Sequence, residues 1–168
     1  IEQPFDAFVV ECSSFRLQYT NVFRCDASVW LNLAPDHLDW HGSMEKYAGA
    51  KRRLWAYSQP SDVVVAPTNN ELILETARAT KSRCVTFGLD AGDYTVLSGS
   101  LVSPLGAICS VDELWRSLPH DITNSLAAAA LVIESGLSAV GEVAAPLHVF
   151  ESAHHRIELI GHFDGSAW

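Results

Sequence analysis

The chain has 168 residues, of which 48% are hydrophobic and 18% are charged, and its formal net charge is −9. This length suits a single domain with its own hydrophobic core, and the apolar fraction excludes a disordered chain. The negative charge excludes a general binder of nucleic acid or of anionic membranes, because both need a positive field. The longest apolar run, 126–133, is too short to span a bilayer, and no signal peptide is visible. We therefore expect a cytoplasmic protein with reduced thiols.

The first half of the sequence alternates strand patterns with helix patterns. Compact apolar runs predict strands at 4–11, 27–33, 62–66 and 83–88. Helices are expected over 44–57, with Ser43 as the N-cap, and over 70–80. Alternation of this kind indicates an α/β fold with a mostly parallel sheet flanked by helices.

The second half begins differently. Short β-like runs at 94–97 and 101–110, separated by Ser, Gly and Pro, predict a small antiparallel flap. A long Ala-rich helix is expected from Asp121 to a C-cap at Gly136, followed by a weaker helix over 137–149. The stretch 155–163 alternates like a strand and precedes a turn signal at 164–165.

Two polar segments follow predicted strands, where ligands bind in parallel α/β sheets. Glu11, with Ser13 close behind, could ligate magnesium; alternatively, the serines cap a helix and Glu11 is a surface charge. The next loop contains two carboxylates and two imidazoles, at Asp36, His37, Asp39 and His41. These side chains could form a metal site or an acid/base pair, or the loop is simply polar around a buried Trp40.

Three further residues could take part in catalysis or in nucleotide binding. If Tyr47 faces inward, Lys51 lies one helical turn later on the same face, where burial would make its amine reactive; otherwise it extends to water. Asn124 could form hydrogen bonds with the edge of a purine base. Alternatively, this segment only begins the Ala-rich helix, with Asp121 as its cap. Arg156 could bind a phosphate or stack on a base, or it begins an exposed strand.

Four segments in this order resemble the Mur ligases of peptidoglycan synthesis. They are ECSSFRLQ (11–18), LNLAPDHLDWHGSMEKYAGAKRRLW (31–55), HDITNSLAAAAL (120–131) and HHRIEL (154–159). The Ser-Ser-Phe-x-Leu run is similar to that of the members that add D-glutamate to UDP-N-acetylmuramoyl-L-alanine. The resemblance implies an ATP-dependent ligase that forms an amide bond through an acyl phosphate, with two Mg²⁺ ions.

The resemblance also implies roles for individual residues. Glu11 matches the carboxylate that holds the Mg²⁺ between the β- and γ-phosphates, and Ser13 matches a contact to the nucleotide-sugar substrate. His37 matches a ligand of the second Mg²⁺ that also lies against the reacting carboxylate. Lys51 matches a lysine that carbon dioxide converts to a carbamate. The implied nucleotide-binding residues are Asn124, Asp121, His155 and Arg156, with Asp121 standing where the family usually has Asn.

The 168 residues contain no G-x-x-x-x-G-K-[ST] phosphate-binding loop. The resemblance therefore implies that residues 1–168 are part of a central, ATP-binding domain. The N-terminal uridine-binding and C-terminal amino-acid-binding domains of such a ligase would lie outside this chain. The chain alone would be inactive, and the complete enzyme would be a monomer. Three alternatives remain: another Mur ligase or a folylpolyglutamate synthase, a non-catalytic module that binds a nucleotide or a partner, and a metal-dependent hydrolase using His37, Asp39 and His41.

Overall fold

The computed structural model of the protein describes residues 5–151 and two short strands at 162–163 and 166–167. A three-stranded parallel sheet lies at its centre, in the order β1 (Ala27–Val29), β2 (Val63–Pro67), β3 (Arg83–Phe87). Every residue of β2 is buried, because β2 is the middle strand and both faces of the sheet are covered. The parallel α/β fold expected from the sequence is confirmed.

Two helices cover the faces of this sheet: α5 (Pro119–Glu134) lies on one face and α4 (Glu71–Arg78) on the other. The remaining helices pack around them. α3 (Met44–Arg52) joins the cluster on the α4 side, α1 (Ser14–Leu17) and α2 (Leu38–His41) pack on α3, and α6 (Val140–Val149) packs on α5. Side chains of β2 alternate between two apolar clusters. Val63 and Val65 pack with Leu126 and other residues of α5, whereas Val64 and Ala66 pack with a cluster that contains Trp55.

A second sheet is antiparallel and forms the flap. It contains β4 (Thr95–Leu97), β5 (Ser100–Ser103) and β6 (Gly106–Ser110). Leu101 and Ile108 join this sheet to the core beside α5, and α6 packs on β6. Further along, β7 (His162–Phe163) pairs antiparallel with β8 (Ser166–Ala167), while most of the predicted strand at 155–163 and the turn at 164–165 lie outside the described residues.

The strand predicted at 4–11 is wrong. Residues 5–11 are exposed and belong to no strand, with Phe8 66% and Val9 91% exposed. The apolar pattern suits a buried strand, but a strand needs a neighbour for its backbone hydrogen bonds and a surface to cover its side chains. No strand of the described chain pairs with this segment.

Several predicted element bounds also differ from the structure. The strand at 27–33 ends at Val29, because the chain then turns into the loop that leads to α2. The helix at 44–57 ends at Arg52 and tightens into a 3₁₀ turn over Arg53–Trp55. The Ala-rich helix begins two residues before Asp121, at Pro119, a residue suited to the first helical turn. No helix in residues 5–151 is long and apolar enough to cross a membrane.

Candidate functional site

An aromatic cluster lies where α1, α2 and α3 meet, beyond the carboxyl end of β1. The ring of Phe15 is its centre, with ring centroids 4.7 Å from His37, 5.5 Å from Trp40 and 5.6 Å from His41. Tyr47 of α3 closes the other side, 5.2 Å from the ring of His41. Ser14 and Phe15 of the ECSSF segment thus contact the loop that was predicted to act with it, although the residues before them form no strand.

His41 is a buried member of this aromatic cluster. It is 6% exposed, and its Nε2 lies 3.0 Å from the Oγ of Ser14. A buried imidazole with a hydroxyl partner satisfies its polar atoms within the protein. His41 therefore positions α1 against α2, and Trp40, which was expected to be buried in the alternative interpretation of the loop, is instead 56% exposed.

His37 is held in an uncommon backbone conformation. Its φ of 53° lies in the left-handed region, which few residues other than glycine adopt. Asp36 supports it twice: its Oδ1 accepts a 2.8 Å hydrogen bond from the His37 backbone N–H, and its Oδ2 lies 3.3 Å from His37 Nε2. The imidazole is half-exposed, so it is oriented by the chain and still open to a ligand.

Lys51 shares a helix face with Tyr47, as the sequence predicted, since Tyr47 and Ala48 are both buried. Its Nζ lies 5.2 Å from the centroid of the Tyr47 ring and donates a 3.2 Å hydrogen bond to the carbonyl oxygen of Asn32. The side chain is thus directed at the loop after β1 rather than freely into solvent. Sequence reasoning did not identify Asn32, because a backbone carbonyl acceptor has no signal in residue type.

Glu11 and Ser13 precede this cluster in the chain. Both are exposed, and the Ser13 Oγ accepts a 3.3 Å hydrogen bond from the Arg16 backbone N–H, which makes Ser13 the N-cap of α1. The structure therefore realises the capping alternative for Ser13. An exposed capping hydroxyl still has lone-pair capacity for a ligand, and the substrate role of Ser13 stays a prediction.

The chemistry of the predicted magnesium ligands shows how well each donor atom suits Mg²⁺. Mg²⁺ takes oxygen ligands, which Glu11 offers in its exposed carboxylate. Lys51 as an ammonium offers none, and it fits only after its amine has become a carbamate. His37 offers an exposed nitrogen. By donor type, Glu11 therefore fits a magnesium site and Lys51 fits one only as a carbamate, whereas the imidazole of His37 is not the oxygen ligand that Mg²⁺ prefers.

The predicted nucleotide-binding residues lie on a different element. Asn124 is exposed on α5, and Asp121 is near its start. Both oxygens of Asp121 are engaged by Arg116, with Nε–Oδ2 at 2.6 Å and Nη2–Oδ1 at 2.8 Å. These hydrogen bonds hold the pKa of Asp121 below its usual value. A nucleotide that contacts Asp121 would compete with Arg116. His155 and Arg156 lie outside the described residues.

Solved structures of known proteins share this fold. The chain aligns with MurF from Acinetobacter baumannii at a TM-score of 0.67 and 21% identity, covering 89% of this chain and 33% of that one. A UDP-N-acetylmuramoyl-L-alanyl-D-glutamate--2,6-diaminopimelate ligase aligns at a TM-score of 0.67 and 24% identity, covering 90% and 34%. At these identities the likeness concerns the fold: a three-stranded parallel sheet with helices and a small antiparallel sheet.

Sequence comparison makes the assignment. A sequence model described as the Mur ligase middle domain matches residues 2–132, and the chain belongs to that family. It is 35% identical over 175 residues to a UDP-N-acetylmuramoylalanine--D-glutamate ligase of Frankia casuarinae, covering 99% of this chain and 36% of that protein. The corresponding values for the enzyme of Pelotomaculum thermopropionicum are 34% over 170 residues, 96% and 37%. The chain thus spans about a third of the length of these relatives.

Proposed function

We propose that residues 1–168 form part of the central, ATP-binding domain of a ligase that adds D-glutamate to UDP-N-acetylmuramoyl-L-alanine. The observation that carries this proposal is the identity of 35% to a D-glutamate ligase across 99% of the chain. The close approach of His37 and Lys51 to the shared ring of Tyr47 supports it. The complete protein would be a cytoplasmic monomer that releases ADP and phosphate.

The reaction has two displacements. The substrate carboxylate attacks the γ-phosphorus of ATP, and the bond from that phosphorus to ADP breaks, which yields an acyl phosphate and ADP. The amine of D-glutamate then forms the C–N bond, phosphate leaves, and the amine proton passes to solvent. Two bound Mg²⁺ ions would neutralise the negative charge of the phosphates. Positioning and charge are what the chain's own residues must supply.

The resemblance gives each of these residues a role in the reaction. Glu11, His37 and carbamylated Lys51 would hold the magnesium ions, and His37 would also face the reacting carboxylate. Ser13 would orient the nucleotide-sugar substrate. The residues assigned to the nucleotide are Asn124, Asp121, His155 and Arg156.

The surroundings of Lys51 set a condition on its carbamate. Modification requires the neutral amine, whose lone pair forms the N–C bond with carbon dioxide and whose proton is lost to solvent. The Nζ of Lys51 lies over the Tyr47 ring, 5.2 Å from its centroid. Magnesium would favour the carbamate by binding its oxygens, and the Asn32 carbonyl oxygen, 3.2 Å from Nζ, can still accept the remaining N–H.

The test is an acceptor assay on the complete enzyme, with UDP-N-acetylmuramoyl-L-alanine, ATP and Mg²⁺. We expect phosphate release with D-glutamate. We expect none when a diamino acid replaces D-glutamate as the amine, or when a folate replaces UDP-N-acetylmuramoyl-L-alanine as the carboxylate substrate. Glu11→Ala should remove most of the activity, whereas the matched control Asp6→Ala, an exposed carboxylate five residues earlier, should retain it. Preference for a diamino acid or for a folate substrate would refute the D-glutamate assignment.

Two other functions are alternatives to this ligase. One is a non-catalytic module that binds a nucleotide or a partner; binding of ATP by the complete protein without phosphate release would establish it. A hydrolase with His37, Asp39 and His41 on one metal has no support, since these residues do not form a ligand cluster in the described part of the chain. We expect the isolated 168-residue chain to release no phosphate.

A further inference from the structure

A second group of metal-ligating side chains lies away from the predicted magnesium ligands. Cys109 is on β6, Glu113 ends the 3₁₀ turn that follows it, and His148 is near the end of α6. Their thiol sulfur, carboxylate oxygen and imidazole nitrogen atoms all lie within 4.8 Å of one another. Among the residues that the structure describes, no other three Cys, His, Asp or Glu side chains meet in this way.

The spacing fits one tetrahedral ion. Zinc binds sulfur at about 2.3 Å and nitrogen or oxygen at about 2.0–2.2 Å, so tetrahedral ligands lie roughly 3.3–3.7 Å from each other. His148 Nε2 and Glu113 Oε2 are 3.7 Å apart. That distance is too long for a good direct hydrogen bond, and it matches two ligands that share an ion.

Two of the three side chains are already positioned by the fold. Glu113 is oriented because its Oε2 accepts a 2.8 Å hydrogen bond from the Ser110 backbone N–H in a capping box. Cys109 is 8% exposed and packs among the buried residues of the core, so the surrounding side chains hold it in place. His148 is half-exposed, which leaves one side open to water. Preformed ligands of this kind lower the ordering cost of metal binding.

We propose that Cys109, Glu113 and His148 form a Zn²⁺ site, with water as the fourth ligand. Mixed thiolate, imidazole and carboxylate ligands suit a borderline-soft ion and do not suit Mg²⁺. On binding, the Cys109 sulfur forms the metal bond and its proton is released to solvent. The ion would join α6 to the antiparallel sheet. This site does not depend on the proposed ligase function.

The probe is Zn²⁺ itself, titrated into the metal-free complete protein, with Co²⁺ as a spectroscopic substitute. We expect one high-affinity Zn²⁺ per chain, a rise in Tm when it binds, and a sulfur-to-cobalt charge-transfer band. Loss of an outer-shell partner typically weakens metal affinity by about 10–100-fold, so removing a direct ligand should cost at least as much. His148→Gln is the main variant because His148 is half-exposed and its loss should not unfold the chain.

Matched variants separate this site from nonspecific binding. Cys109→Ser should remove the charge-transfer band, and Cys84→Ser, at a half-buried cysteine of the parallel sheet, should keep it. His120→Gln, at a comparably exposed histidine, should leave the affinity unchanged. Equal Zn²⁺ affinity in wild type and His148→Gln, or a cobalt spectrum without sulfur ligation, would overturn the proposal.

Discussion

Lys51 is the residue whose chemistry the proposed function needs most. Its amine must become a carbamate to act as an oxygen ligand, and its Nζ lies 5.2 Å from the centroid of the Tyr47 ring. The position is well defined, because α3 presents Lys51 one turn after Tyr47 and the Asn32 carbonyl accepts its N–H. A variant at this position separates the side chain's charge from its role as a ligand.

In the complete enzyme, Lys51→Ala should lose most of the ligase activity, because the carbamate oxygen ligands disappear with the side chain. Formate or acetate should restore part of it by supplying a carboxylate in the vacated space. Phosphate release measured with and without these anions checks the prediction. The control is Lys46→Ala, an exposed lysine of the same helix, which should retain activity; full activity of Lys51→Ala would contradict the carbamate.

Asp62 is the most completely buried acidic residue that the structure describes, at 1% exposed. Arg24 Nε donates to its Oδ2 at 2.8 Å, and the Gln59 backbone N–H donates to the same oxygen at 2.7 Å. The Arg24 hydrogen bond, above all, lowers the pKa of Asp62 from 3.8 to about 2. Since the folded pKa is depressed, the carboxylate stabilises the fold above about pH 4 and loses that contribution as the pH falls towards 2.

Asp62→Asn should therefore reduce the free energy of unfolding at pH 7 by roughly 1–3 kcal/mol, the range for breaking a buried hydrogen-bonded charge. Urea denaturation near pH 7, 4 and 3 should show the difference between wild type and variant shrinking at the acid end. Asp90→Asn, at an exposed carboxylate, should change stability little at any of these values. A difference independent of pH would show that the charge is not responsible.

Among the elements, α4 has both an N-cap hydrogen bond and a buried apolar face, each set by nearby residues. Asn70 has extended backbone angles, and its Oδ1 accepts a 3.1 Å hydrogen bond from the Ile73 backbone N–H. Ile73 and Ala77 are fully buried one turn apart, on the face that covers the parallel sheet. The sequence pattern, the N-cap hydrogen bond and the core contacts therefore all indicate the same helix. Its predicted start is confirmed within one residue.

Asn70→Ala should destabilise the protein by about 0.5–2 kcal/mol, because an orphan N–H at the helix start loses its acceptor. The neighbouring Asn69→Ala is the matched control: it changes the same side chain at an exposed position just outside the cap. Chemical denaturation of both variants measures the difference. Equal stability of the two would mean that the hydrogen bond from Ile73 contributes nothing.

In the molecule as a whole, one buried contact ties the Ala-rich helix to the region between the sheets. Tyr94 lies between β3 and β4, is fully buried, and donates from its hydroxyl to Glu134 Oε1 at 2.8 Å. Arg83 of β3 pairs with the other oxygen of Glu134 at 2.5 Å. Burial, followed by the hydrogen bond to Glu134, raises the pKa of Tyr94 well above its ordinary value of 10.

Tyr94→Phe should lower stability at neutral pH by about 1.5–3 kcal/mol, the range for a hydrogen bond to a charged group. Because the folded pKa is raised, this contribution is present below about pH 10 and is lost as the pH rises further. Thermal unfolding at pH 7 and at alkaline pH should show the variant and wild type converging. Tyr57→Phe, at an exposed tyrosine, should follow wild type throughout.

The fold class and the family followed from the sequence because they depend on local patterns. Apolar periods, the Asn70 and Ser43 caps, and the Gly136 end of α5, where φ is 77°, are each decided within a few residues. The candidate residues His37 and Lys51 were proposed from the order of the motifs along the chain. The strand predicted at 4–11 was wrong for the same reason, since an apolar run does not show whether a neighbouring strand covers it.

The tertiary structure determined which residues distant in sequence are neighbours. The bond between His41 and Ser14 spans 27 positions, and the contact from Lys51 to Asn32 ends on a backbone atom that no residue type reveals. Cys109 and His148 meet only because α6 packs on β6. Sequence period sets which face of an element is buried, whereas the partner of that face is set by how the sheets and helices pack together, which depends on the whole chain at once.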